Sequence, residues 1–537
     1  MSQAHPTWYS TKRPCAADVV IPKLLHRHAS ERPDKVFCHF ENGGSWTYHE
    51  ALRKTQETAH ALDGLGVKAG DLVLVWLPND ETMLRCWFAL NYIGAVFVPI
   101  NLDYRGSLLQ HVIAESQASL MIIHPGLVDR LSDIDLSGVQ TIVSVGPSQG
   151  DINLPELILS DLSSEDLLDT PADKKLWDLQ MVIFTSGTTG PSKGVMCPYL
   201  HMYTVGQGCY GYMTPDDVMQ VDLPMFHVGG VSPVIATLSA GATMVLFGGF
   251  STSDFWHRIR KYKITTLAGL IGSMAAFLAN SPRTTDDRKH TLRMVTLILT
   301  PKAIEVAERF GFDYCTGFNM SELSAPLLAE LNCKIPGSCG KPRSGVECRV
   351  VDENDYECPP GTVGELVVRA DQPWELSTGY LNRPEATVGA WRNGWFHTGD
   401  LMKRDESGNF FFVDRLKDAV RRRGENVSSV EIESEVMKIE EVAEAAVVGI
   451  PSELGDEEIL LAVVQKTART ISASDIVEFL IPRMAHYMVP RYIRFMDVLP
   501  RTPTNKVQKY LIRDDGVTRD TWDRERSGFV LKKTRLT

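Results

Sequence analysis

Short, wholly apolar runs alternate along this chain with segments of helical spacing, and that alternation constrains the fold more than any other feature. Residues 72–77 (Leu-Val-Leu-Val-Trp-Leu) are uninterruptedly apolar, the pattern of a strand covered on both faces. Pro78-Asn79-Asp80 then offers a turn and a helix cap, a helix is predicted to about Ile93, and residues 95–100 form the next strand. Further strand-like runs fall at 120–123, 141–145 and 181–184. Strands separated by helices pair in parallel, because each crossover returns the chain to the end of the sheet where the previous strand began. The predicted class is therefore α/β. Ligands in such sheets sit beyond the carboxyl ends of the strands, so the loop after Phe184 is the first place to look.

With 537 residues the chain exceeds one ordinary core, and a second unit is predicted from about Asp414. The Ser428-x-x-Glu431 spacing is a capping box that starts a helix. Strands are predicted at 444–450 and 459–464, and a helix from Ser474 to about Leu480. The expected organisation is a large N-terminal domain, residues 1–415, of parallel-rich sheets covered by helices. A small mobile C-terminal α+β domain, residues 416–537, follows it.

A net charge of −12 works against nucleic acid as a partner, since phosphate backbones want a basic face. The ten cysteines contain no C-x-x-C pair, and the spacings of Cys333, Cys339, Cys348 and Cys358 do not resemble a zinc site. Free thiols in that number favour a reducing compartment. The N-terminal stretch has no apolar core of a signal peptide, and the apolar stretch 86–100 is too short to span a bilayer. The C-terminal Arg-Leu-Thr is not a peroxisomal address. The expectation is a cytoplasmic protein acting on a small molecule, with its oligomeric state, a homodimer included, left open.

The densest chemical signal is Thr185-Ser186-Gly187-Thr188-Thr189-Gly190-Pro191-Ser192-Lys193-Gly194, directly after an apolar strand. Glycines and small hydroxyl residues let backbone N–H groups close on a phosphate, and Lys193 adds a point charge. A Walker A loop it is not, because Ser192 precedes the lysine and Gly194 follows it.

This decapeptide resembles the signature loop of the adenylate-forming superfamily: acyl-CoA synthetases, peptide-synthetase adenylation domains and luciferase. Five further segments resemble that family's motifs in its order: Pro224-Met225-Phe226-His227, Phe318-Asn319-Met320-Ser321-Glu322, residues 395–400 ending in Asp400, Asp414-Arg415-Leu416-Lys417-Asp418, and residues 499–506 ending in Lys506. The resemblance implies ATP, Mg2+ and coenzyme A as substrates or activator, with a carboxylic acid as the second partner and no tightly bound prosthetic group. It implies an acyl-adenylate, then a thioester with coenzyme A. Transfer to a separate carrier protein or amine stays open, as does a non-catalytic nucleotide- or acyl-CoA-binding relative.

The resemblance also implies roles. Residues 185–190 with Lys193 hold the phosphates, and Thr185 counts among the catalytic residues. Phe318 stacks on adenine, Asn319 and Met320 sit beside it, and Ser321 meets the α-phosphate. Glu322 contacts the magnesium, a hard ligand for a hard cation. Asp400 takes the ribose hydroxyls and Arg415 holds the nucleotide. Lys506 reaches the α-phosphate and carboxylate during adenylation. Lys417 is the hinge, and Gly424 lets the pantetheine arm pass. Phe226 and His227 gate the acyl pocket. Arg421, Arg422 and Arg423 are candidates for the phosphates of coenzyme A.

Two departures stand out. Asn319 replaces the usual glycine, and asparagine tolerates left-handed backbone. Residues 295–303 lack the Gly-Gly-Ala-Pro run of many relatives, which resembles the carnitine/crotonobetaine–CoA ligase-like branch. Segments similar to Asp287-Arg288-Lys289-His290 and Phe255-Trp256 also occur there.

Overall fold

The structure is a computed structural model that describes residues 12–147, 156–159, 166–185, 192–270, 272–415, 420–422, 425–427, 429–452, 456–466, 470–500, 507 and 509–529. Two seven-stranded sheets carry the first part of the chain. The first runs, in space, Glu156–Ile158, Thr141–Ser144, Leu120–Ile123, Leu72–Trp76, Val96–Pro99, Leu179–Thr185 and Lys193–Pro198. Its neighbours are parallel up to the last pair, an antiparallel hairpin. The second runs Asp313–Cys315, Met294–Leu297, Thr266–Leu270, Val218–Val221, Thr243–Leu246, Val36–Phe40 and Ser45–Thr47, again parallel until its final hairpin. Every strand predicted from an apolar run is present within two residues.

Local chemistry sets the element ends. The helix Glu81–Ile93 starts where Asp80 accepts a hydrogen bond from the N–H of Met83, and it ends at Gly94 with φ 90°. A Cβ at position 94 would lie 2.9 Å from the Ala172 Cβ, so the glycine answers both the backbone twist and the close approach.

The main core lies between the two sheets. One buried cluster joins Val75 and Ile183 of the first sheet to Val221 and Leu246 of the second, through Leu62, Trp87, Met202 and Val234. Those four side chains come from the helices Tyr48–Gly64, Glu81–Ile93, Tyr199–Tyr210 and Val228–Ala240. Helices Phe255–Tyr262 and Pro301–Phe310 cover the far face of the second sheet.

An eight-stranded, antiparallel third sheet follows, from Gly317–Phe318 to Phe410–Arg415. It is an addition to the parallel-rich architecture expected from sequence. Beyond it lie a ribbon of Val420–Arg422 with Glu425–Val427 and a four-stranded sheet, Val442–Pro451, Glu457–Gln465, Tyr492–Phe495 and Trp522–Asp523. Helix Ser429–Val436 begins where the capping box was read, although Ser428 itself lies outside the described residues. Helix Ala473–Leu480 is capped by Ser472.

Candidate active site

A cavity of about 1600 Å³ runs between the carboxyl ends of the second sheet's strands, the third sheet and the hairpin that closes the first sheet. Thr185, Lys193, His227, Phe318, Asn319, Met320, Ser321 and Glu322 all line it, although they come from three separate stretches of sequence. Asp400 is buried behind its wall, which the neighbouring Thr398 and Gly399 form. Phe226 is buried with its ring edge-on to His227, 4.6 Å between centroids, and only His227 reaches the cavity. Residues 186–190, Lys417, Gly424 and Lys506 lie outside the described residues, as does the side chain of Arg415.

The hairpin explains how Lys193 is aimed. Thr185 and Lys193 face each other across its two strands, and Gly194 sits opposite Phe184. A Cβ at position 194 would lie 2.8 Å from Val182 Cγ1 and 3.3 Å from Leu381 Cβ. The Lys193 ammonium then stands 4.6 Å over the ring of Tyr380, whose hydroxyl donates to Glu322 Oε1 at 2.9 Å. A cation from the first sheet and a carboxylate from the third are thus held on one aromatic side chain. Glu322 is 7% exposed, so the tyrosine hydroxyl supplies one of the few donors to a carboxylate largely withdrawn from water.

Beneath this wall lies a buried polar network. The His201 ring meets the carbonyl of Glu375 through Nδ1 at 2.9 Å and that of Ser321 through Nε2 at 3.0 Å. Both partners only accept, so the ring serves both at once only as an imidazolium. Burial pushes its protonation below the ordinary range, and the two carbonyls pull it back. Arg343, fully buried, donates to Ser324 Oγ at 2.8 Å and to Glu375 Oε2 at 3.1 Å. Burial raises the Glu375 carboxyl, and Arg343 opposes that rise. Glu365 pins the strand leading to Asp400: it accepts from the Gly399 N–H at 2.9 Å and lies 2.9 Å from His397 Nδ1.

Two expectations are corrected. Asn319 does not adopt left-handed backbone; the left-handed residue of its loop is Ala325, φ 47°. Asn319 Oδ1 accepts from the Ala325 N–H at 3.2 Å, so the amide ties the loop shut by its side chain. Nor does the arginine run form one phosphate-facing patch. Arg422 is buried and donates to the carbonyls of Tyr487 and Val489 at 2.9 and 2.8 Å, which makes it a strut of the C-terminal unit. Arg421 does line the cavity, and Arg423 lies outside the described residues.

Tyr380, His201 and Arg343 were not singled out in the sequence. A lone tyrosine, histidine or arginine has no spacing that would announce it.

The AMP-binding enzyme family matches residues 25–381, and the AMP-binding enzyme C-terminal domain matches residues 431–506. A crotonobetaine/carnitine–CoA ligase of Salmonella arizonae is 31% identical over 481 residues, covering 86% of this chain and 92% of that protein. Among solved structures, a double mutant of o-succinylbenzoate CoA synthetase from Bacillus subtilis has a TM-score of 0.78 at 23% identity, covering 91% of this chain and 98% of that one. A fatty acyl CoA synthetase of Mycobacterium tuberculosis has a TM-score of 0.66 at 24% identity, covering 93% and 99%. These two show a shared fold.

Proposed function

The chain belongs to the AMP-binding enzyme family, and from that premise we propose how its site works. The protein is an AMP-forming ligase that joins a carboxylic acid to ATP as an acyl-adenylate and passes the acyl group to coenzyme A. The first step brings a carboxylate against the α-phosphate and expels pyrophosphate. Two anions approach only where cations and oriented donors stabilise the growing charge.

The observation that carries the reading is the contact of Lys193, Tyr380 and Glu322 on one cavity wall. Lys193 is placed to meet phosphate oxygens. Glu322 is a hard oxygen donor in a largely buried setting, and Mg2+ fits it; when bound, the ion would neutralise phosphate charge. Phe318 offers a ring for adenine, Ser321 a hydroxyl for the α-phosphate, and Asp400 a carboxylate for ribose. His227 borders the space left for the acid. Lys506 and Gly424, both in the unit that follows Arg415, serve adenylation and thiolation respectively. We take residues 1–415 and 416–537 as the two domains and Lys417 as the hinge between them. We assign the protein to the cytoplasm, on its free thiols; no helix among the described residues is long and apolar enough to cross a membrane.

Product analysis tests the reading. With ATP, Mg2+ and a panel of carboxylic acids, AMP and pyrophosphate should appear, and an acyl-CoA when coenzyme A is present. ADP as the stoichiometric product would overturn adenylation.

A further inference from the structure

The carboxyl end of the Val218–Val221 strand carries Gln220 and, just past it, Asp222. Two residues apart on extended chain, they project to the same side of the sheet. Both are withdrawn from water, at 1% and 3% exposure. Gln220 Nε2 donates to Asp222 Oδ2 at 2.6 Å. Two acceptors then remain, Asp222 Oδ1 and Gln220 Oε1, with no hydrogen-bond partner among the described residues. An acceptor buried without a donor is costly, and proteins seldom keep two side by side without a use.

Asp222 also lines the cavity. Around it the neighbouring strand ends supply Gly248, Gly249 and Gly269, and a Cβ at position 249 would meet nothing within 4 Å. The cavity thus reaches these strand ends. Arg258, the cation whose charge acts on Asp222, is committed elsewhere, to Glu41 at 2.6 Å and to the Gly249 carbonyl at 2.8 Å. Burial pushes the Asp222 carboxyl up to about 6, which leaves it mainly ionised at neutral pH and so an acceptor.

We propose that the Asp222 carboxylate, held in place by Gln220, accepts from an N–H or O–H donor on the ligand that fills this end of the cavity. The inference rests on the acid-activation reading above. Two ligands can bring such a donor: an acid with a distal hydroxyl or ammonium group, or coenzyme A through an amide N–H of its pantetheine arm. In either case Asp222 sets specificity. A site built to accept a hydrogen bond rejects an analogue without the donor far more strongly than an apolar pocket rejects a missing methylene.

The test uses the full chain, Asp222→Asn and Asp222→Leu, with thermal unfolding to confirm that each variant folds. Pyrophosphate exchange is measured with butyrate, hexanoate and decanoate, each beside its ω-hydroxy and ω-amino derivative. Thioester formation is measured separately against coenzyme A concentration. If the acid brings the donor, the parent protein prefers a derivative over its plain acid by roughly tenfold or more in kcat/KM, and Asp222→Leu abolishes that preference. If coenzyme A brings it, Asp222→Leu raises the KM for coenzyme A by a similar factor and leaves the acid ratio unmoved. Should the leucine variant not fold, the isosteric Asp222→Asn decides by the same two readouts. Changes below about twofold in both readouts overturn the Asp222 acceptor, whereas exchange that fails in the parent protein with every acid overturns the acid-activation reading itself.

Discussion

Tyr380 touches groups of opposite sign at once, its hydroxyl on Glu322 and its ring face beneath Lys193. Tyr380→Phe keeps the ring and deletes only the hydroxyl. A hydrogen bond to a charged group is worth about 1.5–3 kcal/mol, so pyrophosphate exchange should fall roughly ten- to a hundredfold. Tyr380→Leu removes the ring as well, adding about 0.5–1 kcal/mol from the lost contact with the lysine ammonium. Kinetics of both variants across a magnesium titration checks this, and equal rates for Tyr380→Phe and parent would remove the tyrosine from the site. Lys193 and Glu322 were legible in the sequence because each sits in a dense string of chemically related residues. Tyr380 was not, since its partner lies 58 residues away, and His201 meets Ser321 across 120. Contacts at such separation exist only after folding. Asn319 shows the converse: the sequence marks it as a departure, but what it does in the loop is a side-chain bond that no backbone propensity foretells.

The strands of the two parallel sheets were readable because both their faces are covered, which writes them as unbroken apolar runs. The third sheet was not. Val346–Val351 begins with buried and half-buried residues in turn, a weaker pattern in so short a segment. In the hairpin of Leu179–Thr185 with Lys193–Pro198, Gly194→Ala forces a methyl against Val182 and Phe184. Overpacking of that kind costs about 1–3 kcal/mol, so chemical denaturation should show a lower midpoint with unchanged m-value. A different element gives a pH dependence. Glu431, on helix Ser429–Val436, accepts from the Ser192 N–H with its Oε1 buried, and burial raises its carboxyl from 4.5 to about 8. A folded-state value above the unfolded one means that the stabilisation is complete below about 4.5 and fades as pH rises through about 8. Glu431→Gln should therefore flatten the stability profile across that window, with its gain over the parent greatest at the alkaline end. Thermal melts in steps from pH 5 to 9 read the slope directly.

At the scale of the whole molecule, the unit beyond residue 420 is fastened to the first sheet's side of the protein. Asn101 Nδ2 donates to the Tyr487 hydroxyl at 2.8 Å in a buried contact, His486 stands 3.4 Å from Asp103, and Ser107 bonds Glu435. Apolar side chains of both units also share one buried cluster, from Leu74 and Met121 to Ile432 and Tyr487. These contacts define one arrangement of the two units. Adenylation asks for a cation at the α-phosphate, and thiolation asks for that same space to be clear, so one fixed arrangement serves them unequally. On the proposed roles of Lys506 and Gly424, the two half-reactions should separate by mutation. Lys506→Ala should slow adenylate formation by about a hundredfold or more, the effect of losing one positioned transition-state donor. Given preformed acyl-adenylate, it should still make thioester at near the parent rate. On the thiolation role proposed for Gly424, Gly424→Leu should do the reverse, slowing thioester formation while adenylation continues. Tyr487→Phe adds an internal control: it removes the hydroxyl that Asn101 bonds and leaves Lys506 and Gly424 unchanged in identity, and should shift the ratio of the two rates rather than lower both. Single-turnover measurements of each half-reaction decide the matter, and equal losses in both for Lys506→Ala and Gly424→Leu would mean that one arrangement performs the whole reaction.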